Sequence, residues 1–217
     1  MSQTAVDQRI KVILFDVGGV LLTNGWDHRE RAAVFAHFGL TAEEQAAIEA
    51  RHPKPNDAWE RDAISTSDYL DEVVFFTPRS FTRDEFYQQM KIVSQPLQDG
   101  AQRTLTALAA SKQVMAGQML LGLLNNESRA LHEHRMAAFG IGKLVRLQFS
   151  SCYLGLRKPE ADIYRRALDI LGGAAESVLF IDDRAENVAA AQQAGMQAVR
   201  FTGEAALETA LVERGVF

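Results

Sequence analysis

Short apolar runs separated by longer amphipathic stretches organise this chain. Residues 11–15 (KVILF) form a β-rich apolar run that stops at Asp16 and the Gly18–Gly19 pair. A buried parallel strand gives that pattern, because both of its faces are covered and its end must turn sharply. Similar runs occupy residues 119–124 (MLLGLL), 144–149 (LVRLQF) and 178–181 (VLFI), with a weaker one at 198–201. Helical periodicity fills the intervals. Ala161–Leu171 sets Ile163, Ala167, Leu168 and Leu171 on one face, residues 186–194 are alanine-rich up to a Gly195 stop, and residues 204–214 read as a terminal helix. Strands alternating with helices predict an α/β fold with a doubly wound parallel sheet, whose ligands bind beyond the carboxyl ends of the strands.

Residues 24–96 break this rhythm. They hold no convincing strand, and amphipathic helices are predicted at 31–38, 42–51, 67–75 and 83–93, with a turn-like HPKPND stretch at 52–57. The simplest organisation is a core domain of residues 1–23 and 97–217 interrupted by a helical cap domain, residues 24–96, placed to cover the sheet's ligand end. Trp59, Phe75, Phe76 and Phe86 are expected chiefly as the core of the insertion, with pocket lining as the second option. Residues 76–79 (FTPR) read as a loop, with facing the site from the cap as one option.

Composition narrows the partners. The chain has 217 residues, is 47% hydrophobic and carries a formal charge of −5 with acids and bases mixed, so one substantial core is affordable and no basic patch points to nucleic acid. Cys152 is the single cysteine, which excludes an intramolecular disulfide and suits a reducing compartment. The N-terminal stretch shows no leader pattern, and its apolar run is too short to span a bilayer. A cytoplasmic monomer or homodimer with no membrane partner is the expectation.

Four polar clusters follow the predicted strands, at the edge where such a sheet binds ligand. They are Asp16, Asn125–Asn126, Lys158 (after a short loop) and Asp182–Asp183. Their chemistry is complementary. Asp16 and Asp182 are hard oxygen donors of the kind Mg2+ prefers. Lys158 is a point charge able to hold a phosphate oxygen and keep a neighbouring carboxylate ionised. Asn125 and Asn126 offer amide donors to an anion, and Gly18–Gly19 lets the backbone approach it closely. Asp16 is then placed to attack as a nucleophile, with metal and lysine stabilising the transferring group. His132 and His134, two apart on a predicted helix, point to different faces and do not form a metal clamp. Arg157, beside Lys158, is divided between anion binding and an ordinary surface role.

FDVGGVLL, LLNNES, GLRKPEADIY and FIDDRAENVAAAQQAGM resemble, in order, the four motifs of the haloacid dehalogenase superfamily, and the insertion resembles its α-helical cap. The first motif, the WERDAIS stretch and GLRKPEADIY are similar to the subgroup that includes bacterial α-glucose-1-phosphatase. The resemblance implies a Rossmann-like core and a Mg2+-dependent hydrolase of small phosphorylated metabolites, sugar phosphates among them, acting through an aspartyl-phosphate on Asp16. It assigns the metal to Asp16, the Gly18 carbonyl and Asp182, with Asp183 and Asn187 acting behind them or through water. Phosphate falls to Gly18, Gly19, Asn125, Asn126 and Lys158. Two positions depart from the family pattern: Gly18 stands where phosphatases usually carry a second aspartate as general acid, and Asn125 where they carry Ser or Thr. Asp27 and Glu60 are the candidate substitutes for the acid. Two other readings stay open, a catalytically weak relative that binds a phosphorylated metabolite or a partner protein, and a metal-independent 2-haloacid dehalogenase.

Overall fold

The computed structural model describes residues 9–217; the first eight residues, part of the expected core domain and N-terminal stretch, lie outside the described residues. Strands β1 (Val12–Phe15), β2 (Leu120–Asn125), β3 (Leu147–Ser150), β4 (Val178–Asp182) and β5 (Gln197–Arg200) form one sheet in the order β3-β2-β1-β4-β5. All neighbours run parallel. The fold is therefore the doubly wound α/β type expected, and the order reverses around β1, the switch point where such sheets open a crevice.

Residues between β1 and β2 begin with five helices: α1 (His28–His37), α2 (Ala42–Arg51), α3 (Pro53–Glu60), α4 (Thr66–Val73) and α5 (Arg83–Ile92). Trp26, Phe35, Ile48, Trp59, Leu70 and Phe86 bury one another there, and Leu131 from the sheet domain joins them. Trp59 and Phe86 are thus core residues, while Phe75 and Phe76 pack at the edge of the cluster. The HPKPND stretch is not the expected turn. Pro53 sits in the first turn of α3, where its fixed φ suits a helix and its missing N–H is not needed.

The remaining helices are α6 (Gln102–Ala109), α7 (Lys112–Met115), α8 (Arg129–Ala138), α9 (Ser151–Leu154), α10 (Ala161–Leu171), α11 (Ala185–Gln193) and α12 (Glu204–Glu213). Period-two alternation divides the strands between two cores. Ile13, Phe15, Leu121, Leu123, Leu179 and Ile181 pack with α6, α8 and α12, whereas Val12, Leu14, Leu124, Val178 and Phe180 pack with α10 and α11. The third strand begins later than expected. Residues 141–143 form a 3-10 turn after Gly140, and Leu144 and Val145 pack on the core as loop residues rather than strand. The chain enters and leaves the helical insertion side by side: Thr23 N–H donates to the Gln95 carbonyl at 2.9 Å, and Gln95 N–H to Thr23 Oγ1 at 3.1 Å. Among the described residues no helix is long and apolar enough to cross a membrane.

Candidate active site

Register builds the floor of the site. β1 and β4 pair Phe15 with Ile181, so the next residues, Asp16 and Asp182, emerge side by side at the carboxyl edge. Lys158 reaches them from the loop after α9. Its backbone is held at both ends by Asn126, whose Nδ2 donates to the Lys158 carbonyl while its Oδ1 accepts the Lys158 N–H, each at 2.9 Å. The Lys158 Nζ lies 2.9 Å from Asp16 Oδ1 and 2.6 Å from Asp182 Oδ2. Asp182 is held by further hydrogen bonds: Asn187 Nδ2 lies 3.0 Å from each of its oxygens, and the Arg184 N–H donates to Oδ1 at 2.8 Å. Asp16 Oδ1 also accepts the Val17 N–H at 2.7 Å.

These groups perturb one another. Burial pushes the Asp16 carboxyl up to about 7, with Lys158 opposing and the Asp182 charge adding. Burial works against the charge on Lys158, but Asp16 and Asp182 together raise its pKa. Asp183 is raised by burial and by Asp182.

The same three acids fit a divalent cation. One carboxylate oxygen from each of Asp16, Asp182 and Asp183 falls within 4.8 Å of the others, and Asp183 Oδ1 is buried without a hydrogen-bond partner. Mg2+ favours such hard oxygens and completes its shell with water and substrate. Gly19 makes room: it has φ +73°, and a Cβ there would collide with the Asp183 carboxylate.

Other predicted residues fall elsewhere. A Cβ on Gly18 would lie 2.8 Å from Asn24 Oδ1, so Asn24 fills the space of a side chain at that position. Asn125 does not line the cavity above Asp16. Strand alternation puts it on the face of Leu121 and Leu123, beneath α8, where its Nδ2 lies 3.3 Å from His132 Nδ1. Asn125 is therefore turned toward His132 and away from the cavity, whereas Asn126 lines the cavity while its amide holds the Lys158 backbone. His132 is a core residue, its ring 2.9 Å from Gln148 Oε1. Burial raises the Cys152 thiol to about 11, consistent with an inert residue.

The cavity above Asp16 has a volume of about 330 Å³ and is roofed by the insertion. Residues not anticipated from sequence dominate the roof. Arg31 donates to the Trp26 carbonyl at 2.7 Å, meets Glu49 at 2.7 Å and lies 3.0 Å from His52 Nε2. Arginine has only donors, so that nitrogen accepts and His52 Nδ1–H donates to Tyr69 Oη, 2.8 Å away. Burial, then Arg31, pushes His52 down to about 4, so it is neutral. Asp27, one candidate acid, is engaged by the His28 N–H and by Arg184 at 2.7 Å, which outweigh burial and keep its carboxyl low. Arg157 reaches across to α3, meeting Asp57 and Glu60 at 2.7 Å each.

A family model described as a haloacid dehalogenase-like hydrolase matches residues 10–195. The chain belongs to that family. Among solved structures, a haloacid dehalogenase family enzyme from Bacteroides thetaiotaomicron superposes on this haloacid dehalogenase-like hydrolase with a TM-score of 0.74 at 18% identity, covering 90% of this chain and 95% of the other. That enzyme has also been crystallised with magnesium and inorganic phosphate. A second haloacid dehalogenase-like hydrolase, from Porphyromonas gingivalis, gives 0.72 at 22% identity over 93% and 98% of the two chains. A local match, 39% identical over 54 residues, links 25% of the chain to the sesquiterpene phosphatase astK of Aspergillus oryzae, and spans only 28% of that protein's length.

Proposed function

We propose that this haloacid dehalogenase-like hydrolase is a Mg2+-dependent phosphatase of small phosphorylated metabolites, acting through an aspartyl-phosphate on Asp16. The observation that carries the reading is the contact of Lys158 with both Asp16 and Asp182, with Asp183 presenting an unpartnered oxygen beside them. Asp16, Asp182 and the Gly18 carbonyl would hold Mg2+, with Asp183 and Asn187 behind them; when bound, the ion neutralises charge on the transferring phosphoryl group. Asp16 attacks phosphorus, the bond to the leaving oxygen breaks, and water then attacks the same phosphorus to free phosphate and Asp16. Lys158 holds a phosphoryl oxygen and the nucleophile in one geometry, and Asn126 fixes Lys158. The Bacteroides complex with magnesium and phosphate supports the metal, and the phosphatase activity named for the Aspergillus relative supports the reaction class.

The lining above Asp16 includes Asn24, Asp27, Asn56 and Glu60. Such a surface suits a hydroxylated leaving group better than a terpenoid one, which makes sugar phosphates the first class to test. The test is a panel of phosphate esters assayed for released phosphate with Mg2+ and with EDTA. Turnover of at least one ester, abolished by EDTA and restored by excess Mg2+, is expected; turnover indifferent to chelation contradicts the reading. Asn24 in the place of an acid side chain favours a second reading, binding with weak catalysis. Tight phosphate binding with no turnover across the panel decides for it.

A further inference from the structure

Gly18 gives the proposed phosphatase no carboxyl two residues after its nucleophile, and Asn24 occupies the space one would take. The neighbouring residue shows what stands nearby. Gly25 runs so close to the Glu127 carboxylate that a Cβ there would collide with Glu127 Oε2, and would lie 2.6 Å from Arg135 Nη1. Gly25 directly follows Asn24, so the group that fills the space beside Gly18 and the group that meets the Glu127 carboxylate are consecutive residues on the wall of one cavity.

Glu127 follows β2, lines the same cavity as Asp16 and Lys158, and is 4% exposed. Across from it, at the C-terminal end of α3, stands Glu60, which lines the cavity too. A single hydroxyl ties the two backbones together: Ser151 Oγ donates to the Glu60 carbonyl at 2.7 Å and accepts the Glu127 N–H at 3.0 Å. Glu60 Oε2 is buried without a hydrogen bond, although Arg157 Nε lies 2.7 Å away. Glu127 Oε2 meets Arg135 at 2.6 Å, and its Oε1 has a long bond, 3.3 Å, from the Ser128 N–H. The other cavity acids are less suited: the His28 N–H and Arg184 hold the Asp27 carboxyl low, whereas Glu127 is held high by burial despite Arg135, and Glu186 is exposed to water.

We propose that Glu127, held opposite Glu60, is the acid–base residue of this phosphatase, taking the role that Gly18 leaves vacant. The inference rests on the proposed function above. As Asp16 attacks phosphorus and the phosphorus–oxygen bond to the leaving group breaks, the Glu127 carboxyl gives its proton to the departing oxygen. The resulting carboxylate takes a proton from the water that attacks the aspartyl-phosphate, which releases phosphate and restores both groups. Burial raises the Glu127 carboxyl to about 6, Arg135 opposing and the Glu60 charge adding, so a protonated fraction exists near neutral pH. The titratable and charged groups facing it are Arg135 from α8, Glu60 from α3, Tyr87 from α5 and Cys152 from α9.

The test compares two esters in wild type and in Glu127→Gln, which keeps an acceptor for Arg135. One ester has an alkyl leaving group that needs a proton; the other is p-nitrophenyl phosphate, which does not. The account expects kcat for the alkyl ester to fall by roughly 10²–10⁴-fold, and far less for p-nitrophenyl phosphate. Equal losses on both esters, or an unchanged alkyl rate, overturn the assignment; wild-type inactivity toward both overturns the phosphatase reading itself. Glu60→Gln covers the case in which Glu127→Gln does not fold. Removing the Glu60 charge should move the alkaline limb of the alkyl-ester pH–rate profile to lower pH, because the acid then loses its proton earlier. A limb that stays in place overturns the proposal.

Discussion

At the floor of the cavity, Asp16, Lys158 and Asp182 have side chains 11%, 2% and 0% exposed, and Lys158 touches both carboxylates directly. Where the helical roof meets that floor, the charges are wetter. Arg157 meets Asp57 and Glu60, Arg61 meets Asp57 and Glu160, and Arg129 meets Asp62, with side-chain exposures from 15% to 48%. The floor is set by strand register and Asn126, and its charges act through a low-dielectric interior. The roof is tied down by long side chains whose attraction water and salt screen. On the proposed function, the chemistry falls to the part of the molecule that cannot rearrange cheaply, and the roof that faces the leaving group is joined to it partly through weaker, screened ion pairs.

The sharpest way to break this contrast is Lys158→Ala. Removing a buried charge aimed at the transferring group should lower kcat by roughly 10²–10³-fold, and it leaves Asp16 and Asp182 without their shared cation. Steady-state kinetics with Mg2+ checks this; a change confined to KM would place Lys158 among binding groups only. At the roof the expected effect is much smaller. Arg61→Ala removes contacts with Asp57, Glu160 and the Gly155 carbonyl, yet should cost at most about 1 kcal/mol of stability, read by denaturant titration. It should alter KM more than kcat, and its effect should shrink as salt is raised.

The floor was legible in the sequence because each acid ends a short apolar run that announces a buried strand, and at Asp16 the Gly18–Gly19 pair marks the turn that follows. Asp16 and Asp182 could be placed at one edge before any coordinates. The place of Asn125 at the end of a strand was legible, but its face was not: the sequence alone offers its amide to an anion, whereas the structure turns it toward His132 on α8, on the face of Leu121 and Leu123. The role of Asn126 was not, because a bidentate grip on a backbone unit 32 residues away leaves no local pattern. The roof was opaque for the same reason. Arg31, His52 and Tyr69 come from separate elements with no fixed spacing, and Pro53 looked like a breaker although it opens a helix. Glu127 and Arg135 carried no such signal either, because Glu127 precedes the N-cap of α8 and its pairing with Arg135 is made by the turn that enters the helix.

The central claim is that Asp16 forms a covalent bond to phosphorus. Rapid acid quenching during turnover of an ester from the panel, followed by proteolysis and mass spectrometry, reads this bond directly. The account predicts a phosphoryl group on the peptide bearing Asp16, absent in Asp16→Asn and absent when EDTA is added first. Steady turnover with no phosphoryl group on that peptide at any quench time, or one carried by a different residue, would contradict it.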